Sequence, residues 1–154
     1  MHPPVLLVPT TPADIALRLV STVVELARAL DAEVELLTVG PPLDAVDPHT
    51  GLAPTEAQRL EASNKLREAT RTALARELAT IQAAAHEVRV EVAHGSPTDA
   101  ILHRANVLLP DFIVMGTSAR TGLKRALLGS VAEGVLRRAP CPVVVVPPSA
   151  EGEG

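Results

Sequence analysis

Short apolar runs alternate with longer stretches of mixed polarity along this chain. The runs are VLLV (5–8), VELLTV (34–39), VRVEV (88–92), FIVM (112–115) and VVVV (143–146). Several are unbroken rather than alternating, the pattern of a strand covered on both faces. Between them the apolar period changes. Residues 12–30 place Ile15, Leu19, Val23, Leu26 and Leu30 on one stripe at spacings of three and four, as a helix with one buried face requires. Residues 55–85 are long and rich in Ala, Leu, Arg and Glu, and two shorter helices are predicted over 97–109 and 131–138. The order β-α-β-α-β-α-β-α-β predicts an α/β fold, an open five-stranded parallel sheet with helices on both faces. A sheet of this kind adopts a strand order such as 3-2-1-4-5. One domain is predicted over 1–148. GPPLDAVDPHTGLAP (40–54) has loop composition, and residues 149–154 read as a flexible tail.

Three predicted helix starts share a chemistry. TPAD (11–14), SPTD (96–99) and SVAE (130–133) each put a hydroxyl three residues before an acid. That is the capping-box spacing, in which the hydroxyl accepts from one free helical N–H and the acid reaches back to another. Pro12 and Pro97 fall at the first helical position, where a missing N–H costs nothing.

Composition narrows the function. The chain of 154 residues is 47% hydrophobic, enough for one domain with its own core, yet it holds one Phe and no Tyr or Trp. Base stacking on aromatics is therefore unavailable, and a net charge of −4 gives no broad basic surface, so nucleic acid is not the expected partner. Cys141 is the single cysteine, which excludes an intramolecular disulfide. No apolar run approaches the ~20 residues of a membrane span, and the N-terminal run is too short for a signal peptide, so a cytoplasmic protein is expected.

In an open parallel sheet, ligands bind at the carboxyl ends of strands where the strand order reverses. With the order above, that point lies between the first and fourth strands. The turns that would meet there are Pro9-Thr10-Thr11 and, after Met115, GTSARTG (116–122). The second continues to Gly129 and Ser130 at the start of the last helix, whose N–H groups and dipole favour an anion. Arg120, Lys124 and Arg125 add local positive charge.

These residues carry a resemblance. The chain is similar to the universal stress protein family, from VLLVPTT through AHGSPTDAILHRA and FIVMGT to GLKRALLGSVAEGVLRRAPCPVVVV. Nucleotide-binding members carry a pattern Gly-two-Gly-nine-Gly-Ser/Thr, matched here by Gly116, Gly129 and Ser130, with Ala119 in place of the middle glycine. They also tend to carry an Asp shortly after the first strand, and Thr11 stands in that place. The resemblance implies an adenine nucleotide such as ATP, with magnesium, bound by Pro9, Thr10, Thr11, Val39, Met115, Gly116, Ala119, Arg120, Gly129, Ser130 and Val131. Adenine would lie near Val39, and the phosphates over Gly116, Gly129 and Ser130. It implies a stress-response sensor with an unidentified protein partner, acting as a homodimer paired through Pro142 to Val146. Two other roles stay open: a nucleotide-free dimeric adaptor of the same fold, and a slow ATP hydrolase.

Magnitudes rank the two departures. If residue 119 needs a left-handed backbone, Ala costs about 1–2 kcal/mol. Losing a hydrogen bond to a charged group costs about 1.5–3 kcal/mol, so Thr11 is the heavier change. Ser130 can be read as a helix cap alone or as a cap that also meets phosphate. Cys141, before Pro142, reads as an inert buried thiol. His49 with Asp44 and Asp47 matches no metal-ligand spacing, His103 reads as a surface residue of its helix, and no phosphate-loop Gly-Lys-Ser/Thr, nucleophile elbow or Cys-x-x-Cys is present.

Overall fold

The computed structural model describes residues 2–11, 15, 17–117 and 128–148. Five strands, β1 (Val5–Thr10), β2 (Glu33–Gly40), β3 (Glu87–His94), β4 (Phe112–Gly116) and β5 (Val143–Val146), alternate with helices α1 (Leu17–Leu30), α2 (Glu56–Ala73), α3 (Ala75–Gln82), α4 (Pro97–Leu108) and α5 (Ser130–Arg138). All ladders are parallel and the sheet order is β3-β2-β1-β4-β5, as the alternation predicts.

The two-residue strand period sorts the core into two layers. Leu6, Val8, Val34, Leu36, Val90 and Val114 turn to the face packed with Leu19, Val20, Val23 and Ala27 of α1 and Ile81 of α3. Leu7, Leu37, Ile113 and Met115 turn to the other face, under Ile101 and Ala105 of α4 and Ala132 and Val135 of α5. Without large aromatics, these layers close by approach of small groups. A Cβ on Gly134 of α5 would stand 2.8 Å from Thr98 Cγ2 of α4.

Some elements differ from the predicted ones. The stripe on α1 is correct at Leu19 and Val23, but Leu30 is exposed and the inner face is completed by Val20 and Ala27. The long helix over 55–85 is two helices. Leu74 leaves helical geometry at φ −108°, ψ 25° and is buried, so the chain turns there to seat one apolar side chain in the core. α2 then lies along the free edge of β3, where Arg67 Nε donates to the Val90 carbonyl at 3.3 Å and Thr70 Oγ1 donates to the buried Thr38 Oγ1 at 3.3 Å.

The capping predictions fare unevenly. Ser96 does precede α4, with Pro97 in its first turn, but the Ser96 side chain makes no cap bond, and Asp99 lies 4.0 Å from Arg138 of α5 instead. Ser130 is the first residue of α5 and Gly129 is its cap, so the box predicted over 130–133 is not formed; Glu133 pairs with Arg137 at 2.8 Å. The box that forms is one step of chemistry away, at Thr55 and Gln58 before α2, where both reciprocal bonds are present. Gln reaches back to the cap N–H as Glu does. Residues 12–14 of the TPAD segment lie outside the described residues.

Candidate functional site

The carboxyl ends of the strands form one row. Register pairs join Val92 to Thr38 and Thr38 to Thr10 on one side, and Gly116 to Val146 on the other. Between β1 and β4 the ladder holds only Leu6 with Phe112 and Leu7 with Ile113, although both strands run three residues further. The strands thus part at the reversal of strand order.

Pro9 supplies the reason. The Val5 carbonyl accepts from Asp111 N–H at 2.9 Å, so residues 5, 7 and 9 turn their backbone groups toward β4. At position 9 proline has no N–H to give, and the ladder cannot continue. On the far side, β4 stays locked to β5: Ile113 N–H donates to the Pro142 carbonyl at 3.0 Å and Thr117 N–H to the Val146 carbonyl at 3.2 Å.

The predicted site residues fall around this opening. Pro9 and Thr10 end β1, half-buried, and Thr11 follows, exposed, its carbonyl accepting from Thr10 Oγ1 at 3.3 Å. Met115 is buried beneath α5, and Val39 stands half-buried near the end of β2. Gly116 closes β4, and a Cβ there would meet nothing nearer than the Val146 carbonyl at 3.8 Å. The protein itself therefore does not require glycine at 116, and the space above it is open to a ligand. Gly129 caps α5 in extended geometry, φ −68° and ψ 162°, without a side-chain cap bond; Ser130 and the half-buried Val131 begin the helix. Its first N–H groups thus face the opening with no side-chain acceptor of their own. Ala119, Arg120, Lys124 and Arg125 lie outside the described residues. These donor groups and this room fit a phosphate-bearing ligand.

Thr117 is a residue that sequence reasoning passed over. Its Oγ1 is buried and has no hydrogen-bond partner. The TSARTG composition hid it among equivalent hydroxyls, and only burial separates it from them. Glu35 was likewise lost inside an apolar run. It is fully buried, and Arg104 of α4 donates to both its oxygens at 2.7 Å.

Other polar groups lie apart from this opening. A groove of about 440 Å³ between β3 and the outer side of α4 is lined by Leu37, His94, Asp99, His103 and Arg104. His94 is held there by Ser63 Oγ at 3.0 Å from Nε2 and the Pro41 carbonyl at 3.1 Å from Nδ1. A carbonyl only accepts, so Nδ1 carries the proton and, in the neutral ring, Nε2 accepts from Ser63. His49 N–H donates to Asp47 Oδ1 at 2.7 Å, a local turn bond. Cys141 is half-buried rather than buried, and desolvation raises its pKa above the ordinary thiol value, partly opposed by a hydrogen bond with the Ile113 backbone. Among the described residues no helix is long and apolar enough to cross a membrane.

Comparison with known proteins agrees with this architecture. The model of the universal stress protein family matches residues 4–147. A universal stress protein of Methanocaldococcus jannaschii is 36% identical over 141 residues, covering 92% of this chain and 80% of that protein. Among solved structures, a universal stress protein in complex with cAMP superposes with a TM-score of 0.68 at 24% identity, over 95% of this chain and 98% of the other. The universal stress protein of Archaeoglobus fulgidus in complex with dAMP does so with a TM-score of 0.59 at 20% identity, over 94% and 98%. Matched along nearly its whole length in sequence and in fold, the chain belongs to the universal stress protein family.

Proposed function

We infer that this universal stress protein binds an adenine nucleotide, ATP with magnesium, in the opening between β1 and β4, and acts as a cytoplasmic stress-response sensor whose ligated state a protein partner reads. The observation that carries the reading is the parting of β1 and β4 beyond Leu7 and Ile113, next to a helix start whose cap residue, Gly129, has no side chain. Backbone N–H groups and the dipole of α5 favour phosphate there. That two structural neighbours hold cAMP and dAMP supports an adenine ring as the other end of the ligand. Residues Pro9, Thr10, Thr11, Val39, Met115, Gly116, Gly129, Ser130 and Val131 would hold it, with Ala119 and Arg120 contributing from the intervening segment. Isothermal titration with ATP and magnesium tests the reading: saturable heat is expected, and none at millimolar nucleotide removes it.

The same reading makes the protein a homodimer through β5. Because the Pro142 and Val146 carbonyls face β4, residues 143 and 145 turn their backbone groups outward, along an apolar edge flanked by prolines. An edge of that kind favours pairing with a second copy. Val145→Pro removes an outward N–H and leaves the β4 ladder intact, so sedimentation should show a dimer for the wild type and a folded monomer for the variant. A second reading, a nucleotide-free adaptor, is favoured by Thr11, where nucleotide-binding relatives tend to carry an acid. Nucleotide in gently purified protein, read by mass spectrometry, separates the two.

A further inference from the structure

The residue after the first glycine of the loop has an unexplained hydroxyl. Thr117 Oγ1 is buried with no hydrogen-bond partner, the single such side-chain atom among the described residues. A buried hydroxyl left unpaired is costly, and native proteins keep few of them without a use. The backbone fixes where it stands. Thr117 N–H donates to the Val146 carbonyl, which extends the β4–β5 ladder one residue past Gly116. Along that ladder, odd-numbered residues turn to one face: Ile113 and Met115 both pack beneath α4 and α5. Thr117 is the next odd position, on the same face as the start of α5, where Gly129 leaves the first helical N–H groups without a side-chain acceptor. A lone hydroxyl and a set of backbone donors thus share one side of the sheet end.

We propose that Thr117 is a ligand-contact residue, whose hydroxyl donates to a phosphate oxygen of the nucleotide that the start of α5 also holds. The proposal rests on the nucleotide-binding reading above. An acceptor is the missing partner, since the neighbouring helix start supplies only donors, and an anionic oxygen is the acceptor both groups can share. The hydroxyl is then held ready in the empty protein at a cost to stability, which the ligand relieves.

Three proteins test it: the wild type, Thr117→Val, which keeps the shape and removes the hydroxyl, and Thr117→Ser, which keeps the hydroxyl. Each is titrated with ATP and magnesium and with adenosine, and each is melted without ligand. Thr117→Val should bind ATP about ten- to a hundredfold more weakly and adenosine as the wild type does, with Thr117→Ser close to wild type for both. The ligand-free melting temperature of Thr117→Val should equal or exceed that of the wild type. Equal ATP affinity in wild type and Thr117→Val overturns the proposal and leaves nucleotide binding standing. Equal losses for ATP and adenosine place the contact off the phosphate and overturn it too. A lower ligand-free melting temperature for Thr117→Val, with Thr117→Ser unchanged, shows a structural hydroxyl and does the same. A wild type that binds neither ligand removes the function and the proposal together.

Discussion

Arg104 meets Glu35 at two points: Nε donates to Oε2 and Nη2 to Oε1, each at 2.7 Å, and the carboxylate they hold is fully buried on β2. Arg89 of β3 adds a weaker approach, its Nε 3.7 Å from Oε1. The hydrogen bond to Glu35 raises the pKa of Arg104, against the opposing effect of burial. The pair fastens α4 to the sheet where β3 lies beyond the reach of a covering helix. Arg104→Ala leaves a buried carboxylate facing only a distant guanidinium. The expected loss is about 3 kcal/mol, at the lower end for broken buried pairs because the Arg104 side chain is 29% exposed. Arg104→Lys should recover only part of it, since an ammonium cannot offer two parallel donors. Urea unfolding measures both; a loss below about 0.5 kcal/mol for Arg104→Ala would mean the pair contributes little.

Gly134 sets how closely α5 approaches α4. An alanine in a helix interior is ordinarily favoured over glycine by about 1 kcal/mol. Here its Cβ would stand 2.8 Å from Thr98 Cγ2 on a helix held against the same sheet face. Overpacking of that kind costs about 1–3 kcal/mol, so the clash decides the sign and Gly134→Ala should destabilise. Adding Thr98→Ala removes the obstructing methyl. The double variant should regain the loss, a coupling that a thermodynamic cycle in urea reads directly. Additive effects of the two changes would contradict it.

The sheet was legible in the chain because its signal is redundant. Each buried strand is an apolar run, each crossover keeps the helical period, and the order of runs leaves few topologies. The break at Leu74 was not, since it carries no glycine or proline and depends on which side of the sheet the leucine can reach. Caps were half legible: the spacing of a hydroxyl and an acid recurs by chance, and only backbone geometry distinguishes Thr55, which caps α2, from Ser130, which is already helical. In the site, glycines and the helix start could be read from order alone. The role of Pro9 could not, because it depends on which neighbour the strand's ninth residue faces. Glu35 and Thr117 were missed for one reason: burial of a polar atom is a property of the fold, and neither residue type announces it.

Cys141 should be a slow nucleophile. Burial raises its thiol pKa above the ordinary value. The unfolded chain therefore ionises first as pH rises, and the thiol favours the folded state fully at neutral pH and progressively less as pH climbs through the alkaline range toward the raised folded value. Alkylation by iodoacetamide should be slower in the native protein than in urea at pH 8, and the native rate should begin to rise at a higher pH than the unfolded one. Cys141→Ser should flatten the alkaline part of the stability curve. Native alkylation as fast as in urea would show an accessible thiolate and overturn this assignment.

Thr11 offers a way to strengthen the site rather than break it. It is exposed at the end of β1, across the parted strands from Gly116, and its hydroxyl is a neutral group where nucleotide-binding relatives tend to carry an acid. Thr11→Asp supplies an acceptor for ribose or adenine donors, and a charged hydrogen bond contributes about 1.5–3 kcal/mol, or one to two decades of affinity. The same charge repels phosphates, an effect that salt screens within about a Debye length of 10 Å at 0.1 M. The two terms separate by ligand. Adenosine should gain the full increment, AMP less, and ATP least at low ionic strength, with the ATP gain growing as salt is added. Titration of the three ligands at two salt concentrations measures this order. A uniform gain would mean the carboxylate lies far from the phosphates, and no gain for adenosine would mean that position 11 does not reach the nucleoside and that the parted strands hold their ligand by the phosphate end alone.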